Sequence, residues 1–142
     1  MAEITLGMIK PDAVASGKAG LIIAHLQKEG FQVRAAKLAR LTRAQAEKFY
    51  EVHRGRPFYE ELVGFMSSGP CLPMALERDN AITHFRTVIG ATDPAEAAPG
   101  TIRKLYAESK GRNAIHGSDS PENGQREVAF FFSEGEIAGL WG

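Results

Sequence analysis

The stretch GRNAIHGSDS, residues 111–120, places one histidine among glycines, hydroxyls, an amide and a carboxylate. Imidazole is largely neutral near pH 7, so His116 could supply a nucleophilic nitrogen, and Ser118 and Asp119 could orient groups around its ring. Gly117 is expected to let the chain approach closely. Taken alone, the composition of the stretch favours a turn in which His116 has only a structural role.

The same stretch also carries local structural signals. AIHGS can form a short strand, and Ser120 followed by Pro121 is typical of a helix start, with an N-cap residue and then proline at the first helical position. The helix predicted from there contains Glu127 and the apolar run VAFFF.

Upstream, apolar periodicity and turn residues predict strands and helices in alternation. The predicted strands are residues 3–9, residues 31–41 with a bulge near Ala35–Ala36, and residues 71–77; the predicted helices are residues 17–30, 42–53, 56–69, 79–90 and a short one at 101–106. Thr42 and Gln45 fit a capping box. Pro73 removes a ladder donor, which indicates an edge strand or a bulge. This order predicts an α+β sandwich with helices covering one sheet.

Length and composition limit the function classes. A chain of 142 residues predicts one domain, 1–142. The formal net charge of zero offers no bulk attraction for nucleic acid or an anionic membrane. The lone Cys71 cannot form an internal disulfide, and the sequence carries neither a signal peptide nor an apolar run of bilayer length. We therefore expect a cytoplasmic protein with no membrane span and no evident nucleic-acid partner.

Known phosphate and metal motifs are missing from the sequence. It contains no P-loop and no GxGxxG, and His25, His53 and His84 are scattered without metal-ligand spacing, so no protein metal site is predicted. Cations beside turns could instead converge on a polyphosphate, or each could be a solvated surface charge; they are Lys10, Arg86, Arg103 and Arg112. Phe58 could pack in the core or form a platform for a nucleobase.

A family resemblance gives these residues a common context. NAIHGSDS (residues 113–120) resembles the signature of nucleoside diphosphate kinases, and five further stretches resemble that family in order: MIKPDAV (8–14), YEVHRGRPFYEELVGFMSSGP (50–70), GATDP (90–94), PGTIR (99–103) and REVAFFF (126–132). The resemblance implies a ferredoxin-like βαββαβ sandwich with a four-stranded antiparallel sheet covered by helices. It also implies ping-pong transfer of a γ-phosphate between nucleotides through a phosphohistidine. This reaction would maintain the NTP and dNTP pools. Mg²⁺ would be bound mainly by nucleotide phosphates, and the chain would form a homo-oligomer, a tetramer or hexamer built from dimers.

The resemblance also implies roles for individual residues. His116 would be the nucleophile, supported by Ser118 and Glu127, with Tyr50 nearby and Asp119 shaping the site. The nucleotide would be bound by Lys10, Phe58, Arg86, Thr92, Arg103 and Asn113. Two positions depart from the family: Lys110 replaces an aliphatic residue that closes the base site, and Leu105 replaces an aspartate. Pro73 would lie in an interior strand, with a bulge or an irregular strand end.

Two other functions agree less well with the sequence. A nucleotide-binding scaffold that keeps the fold but lacks activity would be expected to have lost one of the key residues, and all are present. A structural interaction module with an incidental histidine would not explain the ordered set of motifs. The chain ends at Gly142 without a long extension that could brace neighbouring subunits, which leaves both tetramer and hexamer open.

Overall fold

A computed structural model describes residues 2–138 of the chain. The strands and helices follow in this order: β1 (Ala2–Ile9), α1 (Pro11–Ala15), α2 (Ala19–Lys28), β2 (Gln32–Ala36), α3 (Arg43–Phe49), α4 (Tyr59–Met66), β3 (Leu72–Asp79), α5 (Ala81–Ile89), α6 (Ile102–Tyr106), β4 (Ile115–Gly117), α7 (Pro121–Phe131) and α8 (Glu134–Ala138). A short 3₁₀ turn, Glu51–His53, lies between α3 and α4.

The strands of the described residues form one four-stranded sheet in the order β2-β3-β1-β4. Every neighbouring pair is antiparallel: β1 pairs with β3 and with β4, and β2 pairs with β3. Since β1 and β3 occupy the two central positions, the chain follows the βαββαβ order with its α3–α4 pair inserted between β2 and β3. The expected ferredoxin-like α+β fold is therefore confirmed.

Helices pack against both faces of this sheet, because successive residues of a strand point to opposite sides. On one face Leu6 and Met8 of β1 belong to a buried cluster with residues of α3, α4 and α7, among them Phe49, Val63 and Val128. On the other face Ile9 of β1 belongs to a second buried cluster with residues of α2 and α5; its members include Leu26, Leu76, Phe85 and Ile89.

Several local sequence signals are confirmed. Thr42 and Gln45 form the complete capping box that starts α3, and the Ser120 hydroxyl caps α7 with Pro121 at the first helical turn. The β2–β3 register shifts between Val33 and Ala35, next to the predicted bulge. Gly90, with φ 88°, ends α5 in the left-handed region that glycine tolerates.

The expectation that Pro73 marks an edge strand is wrong, because β3 lies inside the sheet. The carbonyl of Pro73 accepts a hydrogen bond from the Lys37 N–H at 3.2 Å, so this residue's backbone groups face the β2 side. Opposite Pro73 the regular strand β2 has already ended, at Ala36. Beyond that point the two segments are joined by the isolated Ala39–Cys71 bridge. The irregular strand end that the resemblance implied is present, and the missing N–H of Pro73 interrupts no regular ladder.

Gly117 allows a close approach, and the group that approaches it is a core side chain. Gly117 pairs with Gly7 across β4 and β1, and the ring of Phe85 packs on both glycines. A Cβ on Gly117 would lie 2.6 Å from the Phe85 ring, on the sheet face opposite to His116. Gly117 therefore makes room for a core aromatic from α5, and it does not bring the chain closer to the histidine.

Candidate active site

His116 is held by a carboxylate on the neighbouring helix. It lies at the centre of β4, and its Nε2 is 2.9 Å from Oε1 of Glu127 on α7. The same Oε1 accepts a hydrogen bond from the Ser118 hydroxyl at 2.7 Å. Two donors therefore converge on one buried carboxylate oxygen, and the ring of His116 is fixed by that contact.

The electrostatics of this group assign the proton on the ring. Burial opposes ionisation of Glu127, but the hydrogen bond and charge of His116, with the Ser118 hydroxyl, outweigh burial and hold the pKa of the carboxyl below its ordinary value. An ionised carboxylate only accepts hydrogen bonds, so Nε2 carries the hydrogen that His116 donates. Among residues 2–138, Nδ1 has no hydrogen-bond partner, and it is the ring nitrogen that remains available for chemistry.

Ser118 also connects the histidine to the sheet. The β4 strand ends at Gly117, and the next residue, Ser118, accepts the Leu6 N–H of β1 on its hydroxyl at 3.1 Å. Its side chain thus continues the ladder by one hydrogen bond while its own hydrogen is donated to Glu127. Ser118 is fully buried, so both bonds are shielded from water.

Tyr50 lies beside the histidine ring. Its ring centroid is 6.2 Å from that of His116, edge to face, and its hydroxyl is buried with no hydrogen-bond partner among the described residues. Burial, followed by the charge of Glu127, raises the pKa of Tyr50, so this hydroxyl stays protonated. It is therefore an unused donor next to the ring.

Lys10 and Asn113 form a buried pair. Lys10 follows β1 directly, and its Nζ donates to Asn113 Oδ1 at 2.9 Å. Burial, reinforced by the charge of Arg103 and opposed by that of Asp12, lowers the pKa of Lys10 to about 8. In the nucleotide-free protein the ammonium therefore loses its proton near pH 8. A bound anionic ligand would favour its charged form.

Asp12 was not singled out from the sequence, yet it shapes the segment before His116. Its Oδ2 accepts the Ala114 N–H at 3.1 Å, and Ala114 has a φ of 74°, which is unusual for a residue other than glycine. The Lys10 N–H donates to the Ala114 carbonyl at 2.8 Å. The stretch KPD therefore clamps both backbone groups of Ala114. The sequence signal that could have drawn attention to Asp12 is its place directly after a proline at a helix start.

Arg103 is buried and bonded to backbone. Its guanidinium donates to the carbonyls of Gly90 at 3.0 Å, Asn113 at 3.3 Å and Ile115 at 2.7 Å. Three of the five N–H groups of an arginine are thereby used, which leaves two for a ligand. Burial, with the charge of Arg86, lowers the pKa of Arg103 to about 10. Arg103 thus joins the loop after α5 to β4, a role that the sequence did not indicate.

Arg86 and Thr92 are both exposed. Arg86 lies on α5 close enough to influence Arg103, and Thr92 lies in the loop that follows Gly90. The structure therefore brings Lys10, Arg86 and Arg103 around the strand that carries His116.

Phe58 begins α4 and is 48% exposed, so it does not pack in the core. Its ring lies 5.3 Å from that of His53, and the His53 ring lies 6.3 Å from that of Tyr50. A row of rings therefore runs from Phe58 through His53 and Tyr50 to His116. His53 is half-buried in this row, and its spacing of three residues from Tyr50, close to one helical turn, was the sequence signal that could have placed it here.

Three further residues named in the sequence analysis lie outside this group, while Asp119 lies close enough to Arg86 and His116 for their charges to act on it. Arg112 pairs with Glu108 and contacts the ring of Phe65, while Leu105 and Lys110 are exposed. Asp119 accepts a hydrogen bond from Asn123, which lowers the pKa of its carboxyl. Within residues 2–138 no three His, Cys, Asp or Glu side chains are grouped so that they could hold a metal ion.

No helix in the described part of the chain combines the length and the apolar character needed to cross a membrane.

The fold and this site define the class of protein. A ferredoxin-like sheet that carries a carboxylate-held histidine beside buried cations is the site of a phosphotransferase, since phosphoryl transfer requires positioning and neutralisation of charge. The model of the family described as nucleoside diphosphate kinase matches residues 3–137. The chain belongs to the nucleoside diphosphate kinase family, and it is a kinase that transfers phosphoryl groups between nucleotides.

Curated relatives and solved structures agree with that assignment. A nucleoside diphosphate kinase of Chlorobium chlorochromatii is 61% identical over 135 residues, which are 95% of this chain and 96% of the relative. One of Sorangium cellulosum is 58% identical over 136 residues, 96% of this chain and 94% of the relative. The structure of the Aquifex aeolicus nucleoside diphosphate kinase is similar with a TM-score of 0.94 at 49% identity, over 96% of this chain and 99% of that one. A halophilic nucleoside diphosphate kinase from Halobacterium salinarum, in complex with CDP, has a TM-score of 0.91 at 38% identity, over 99% and 98%.

Proposed function

We propose that this kinase moves the γ-phosphoryl group of a nucleoside triphosphate, typically ATP, to a nucleoside diphosphate in two half-reactions through a phosphohistidine on His116. The observation that supports this most strongly is the hydrogen bond between Nε2 and Glu127, which leaves Nδ1 as the nucleophilic nitrogen. The enzyme would thereby maintain NTP and dNTP pools.

In the first half-reaction Nδ1 attacks the γ-phosphorus, a nitrogen–phosphorus bond forms, and the bond from phosphorus to the bridging oxygen breaks. The nucleoside diphosphate leaves with the electrons of that bond. The phosphorylated ring keeps its hydrogen on Nε2 and gains positive charge, which the ionised Glu127 offsets at 2.9 Å. In the second half-reaction a different nucleoside diphosphate attacks the phosphohistidine and restores the neutral ring.

The polar groups around His116 are suited to hold the substrate. Lys10 faces the transferred group and, with Asn113, would contact the sugar hydroxyls; the pair is already joined at 2.9 Å. Phosphate oxygens would be bound by Arg86, Thr92 and the two unused N–H groups of Arg103. The buried Tyr50 hydroxyl, which lacks a partner among residues 2–138, would donate to the phosphoryl group on the ring.

Phe58 would hold the base by stacking. An exposed aromatic ring attracts every base through its π-face and reads no base edge, which accounts for a broad nucleotide tolerance. The similarity to the Halobacterium salinarum structure in complex with CDP supports the proposal that this site accepts nucleoside diphosphates. Leu105, which is exposed, is not assigned a contact with the nucleotide.

Mg²⁺ is proposed to enter the site on the nucleotide. Each of two carboxylates near His116 has one oxygen engaged by protein donors: Glu127 Oε1 accepts from His116 and Ser118, and Asp119 Oδ1 accepts from Asn123 at 2.6 Å. Phosphate oxygens and water are suited to hold this ion, and no protein cage is required. When bound, Mg²⁺ supplies additional neutralisation of phosphate charge, while Lys10, Arg86 and Arg103 position the chain of phosphates.

Labelling with γ-labelled ATP tests this function. The wild-type protein with Mg²⁺ should become labelled in a form that survives alkali and is lost in acid, and added GDP should remove the label. His116→Ala should remain unlabelled, while His25→Ala, a change of a half-buried histidine on α2, should label normally. An unlabelled wild-type protein that still binds nucleotide would favour an inactive scaffold and overturn the proposal.

We also propose that the chain forms a homo-oligomer built from dimers, a tetramer or a hexamer, that acts in the cytoplasm. Light scattering coupled to size-exclusion chromatography should give four or six times the mass of the 15.4 kDa chain. A monomer at micromolar concentration would contradict this part of the proposal.

A further inference from the structure

A closed turn immediately precedes the site residue Asn113. The N–H groups of Glu108 and Ser109 both donate to the Arg112 carbonyl, at 3.0 Å and 3.2 Å, and the Arg112 N–H donates to the Ser109 hydroxyl at 3.1 Å. These bonds make residues 108–112 one compact unit. Asn113 follows this turn directly, and its Oδ1 accepts a hydrogen bond from the Lys10 ammonium. A shift of the turn would therefore be transmitted to the proposed sugar site.

The side chain of Arg112 fastens this turn to α4. Its Nε lies 3.0 Å from Glu108 Oε2, and its guanidinium carbon lies 5.6 Å from the centroid of the Phe65 ring. Glu108 thus orients the guanidinium from within the turn, and Phe65 receives it from the helix. Both charged side chains are 57% exposed, so neither contributes much to the stability of the fold.

The helix that receives Arg112 also presents Phe58. Phe58 is the N-cap residue of α4 and has helical backbone angles, with φ −86° and ψ −4°. Phe65 follows seven residues later, about two helical turns, so the two side chains point to the same side of α4. A nucleoside whose sugar contacts Asn113 and whose base stacks on Phe58 must lie against the 108–112 turn, because the turn joins Asn113 at one end and rests on α4 at the other.

We propose that Arg112 is a positioning residue for the nucleoside: by holding the 108–112 turn on Phe65 it sets the width of the base slot that Phe58 faces. This inference rests on the proposed function, which assigns the base to Phe58. Arg112 itself needs no contact with the substrate. Its removal would let the turn move away from α4, which would weaken nucleoside binding and leave His116 and Glu127 as they are.

The test compares two phosphoryl donors in Arg112→Ala: ATP, which carries a base, and phosphoramidate, which carries none. The KM for ATP should rise about five-fold, while kcat changes less than about two-fold. The rate at which phosphoramidate phosphorylates His116 should remain that of the wild type. Arg112→Lys, which keeps a cation over the ring, should recover part of the affinity, and Arg40→Ala, a change of another exposed arginine, should change neither donor.

A second variant keeps the test decisive. Phe65→Leu retains apolar bulk and removes the ring face, so it should raise the KM for ATP in the same way without an effect on phosphoramidate. An unchanged KM in both variants overturns the inference while the proposed function stands. Equal losses with both donors would show a general structural role and also overturn it. A wild-type protein that ATP does not phosphorylate would remove the proposed function, and the inference with it.

Discussion

Oε1 of Glu127 lies 2.9 Å from Nε2 of His116, and this one contact decides which ring nitrogen is free. The carboxylate is buried on the middle of α7, and Ser118 supplies a second donor to the same oxygen. Because the lowered pKa of Glu127 keeps it ionised, it stabilises positive charge on the ring and fixes its orientation. The nucleophile of the proposed reaction is therefore prepared by the fold before any nucleotide binds.

Replacement of the carboxylate should impair chemistry more than folding. Glu127→Gln retains the shape but removes the charge that offsets the phosphorylated ring, so kcat should fall about 10- to 100-fold. Ser118→Ala leaves Glu127 in place but removes the acceptor for the Leu6 N–H, so it should cost about 1–2 kcal/mol of stability with a smaller loss in kcat. Stopped-flow phosphorylation and thermal unfolding of both variants separate the two effects; a Glu127→Gln enzyme with wild-type kcat would contradict the role of the carboxylate.

The lowered pKa of Lys10 predicts an alkaline limit to substrate capture. In the nucleotide-free enzyme this pKa is about 8 instead of the ordinary 10.5, so the ammonium loses its proton as the pH rises through 8. The kcat/KM for ATP, which reports the free enzyme, should therefore fall above pH 8, and the kcat profile should fall at a higher pH because bound phosphates restore the charge. Arg103, with a pKa of about 10, does not titrate in this range.

The same shift has the opposite effect on stability. Between pH 8 and 10.5 the unfolded chain holds a proton on Lys10 that the folded chain has lost, so this group makes folding more favourable as the pH rises. Lys10→Met should remove this pH-dependent contribution to stability. The variant should be much less active than the wild type, and its kcat/KM for ATP should no longer decline above pH 8. A decline of unchanged size in Lys10→Met would assign the limit to another group.

Phe58 should contribute affinity without base selectivity. Because the ring is 48% exposed, Phe58→Ala should leave the melting temperature nearly unchanged and weaken the binding of ATP, GTP and CTP by about ten-fold each. Phe58→Tyr should bind normally. Leu105→Ala removes another exposed apolar side chain and serves as the control, with no expected change in affinity. Loss of affinity for only one base in calorimetric titrations would argue against simple stacking.

Gly117 should be a stability position. A Cβ there would lie 2.6 Å from the Phe85 ring in the packed core, so Gly117→Ala should destabilise the fold by about 1–3 kcal/mol. Gly111→Ala meets nothing within 4 Å and should be neutral. The double variant that combines Gly117→Ala with Phe85→Leu should regain part of the stability lost in Gly117→Ala. Chemical denaturation measures all three, and equal stability of the two alanine variants would contradict this packing.

Local signals predicted most of the fold. The capping box at Thr42 and the Ser120–Pro121 helix start are decided by neighbours in sequence, and both were found as expected. The predicted helix at 42–53 is divided into α3 and a 3₁₀ turn, and the one at 56–69 spans only Tyr59–Met66. The helices α1 and α8 were not predicted, because five residues carry too little periodicity.

Long-range packing explains what the sequence could not reveal. The side chain that fills the space at Gly117 comes from α5, and the three carbonyls that bind Arg103 come from two separate segments, the loop after α5 and residues 113–115. Asp12 meets Ala114 more than a hundred positions away in the sequence. These partners are set by the assembled sheet, so the residue types near His116 were predictable but their backbone roles were not.

The most direct test of the account is the position of the phosphoryl group on His116. The enzyme labelled with ¹⁵N-histidine and phosphorylated by ATP should be trapped at alkaline pH, and the phosphorus–nitrogen coupling measured by NMR. Since Nε2 is bound to Glu127, the account predicts phosphorus on Nδ1 alone. Phosphorus on Nε2, or on another residue, would contradict it.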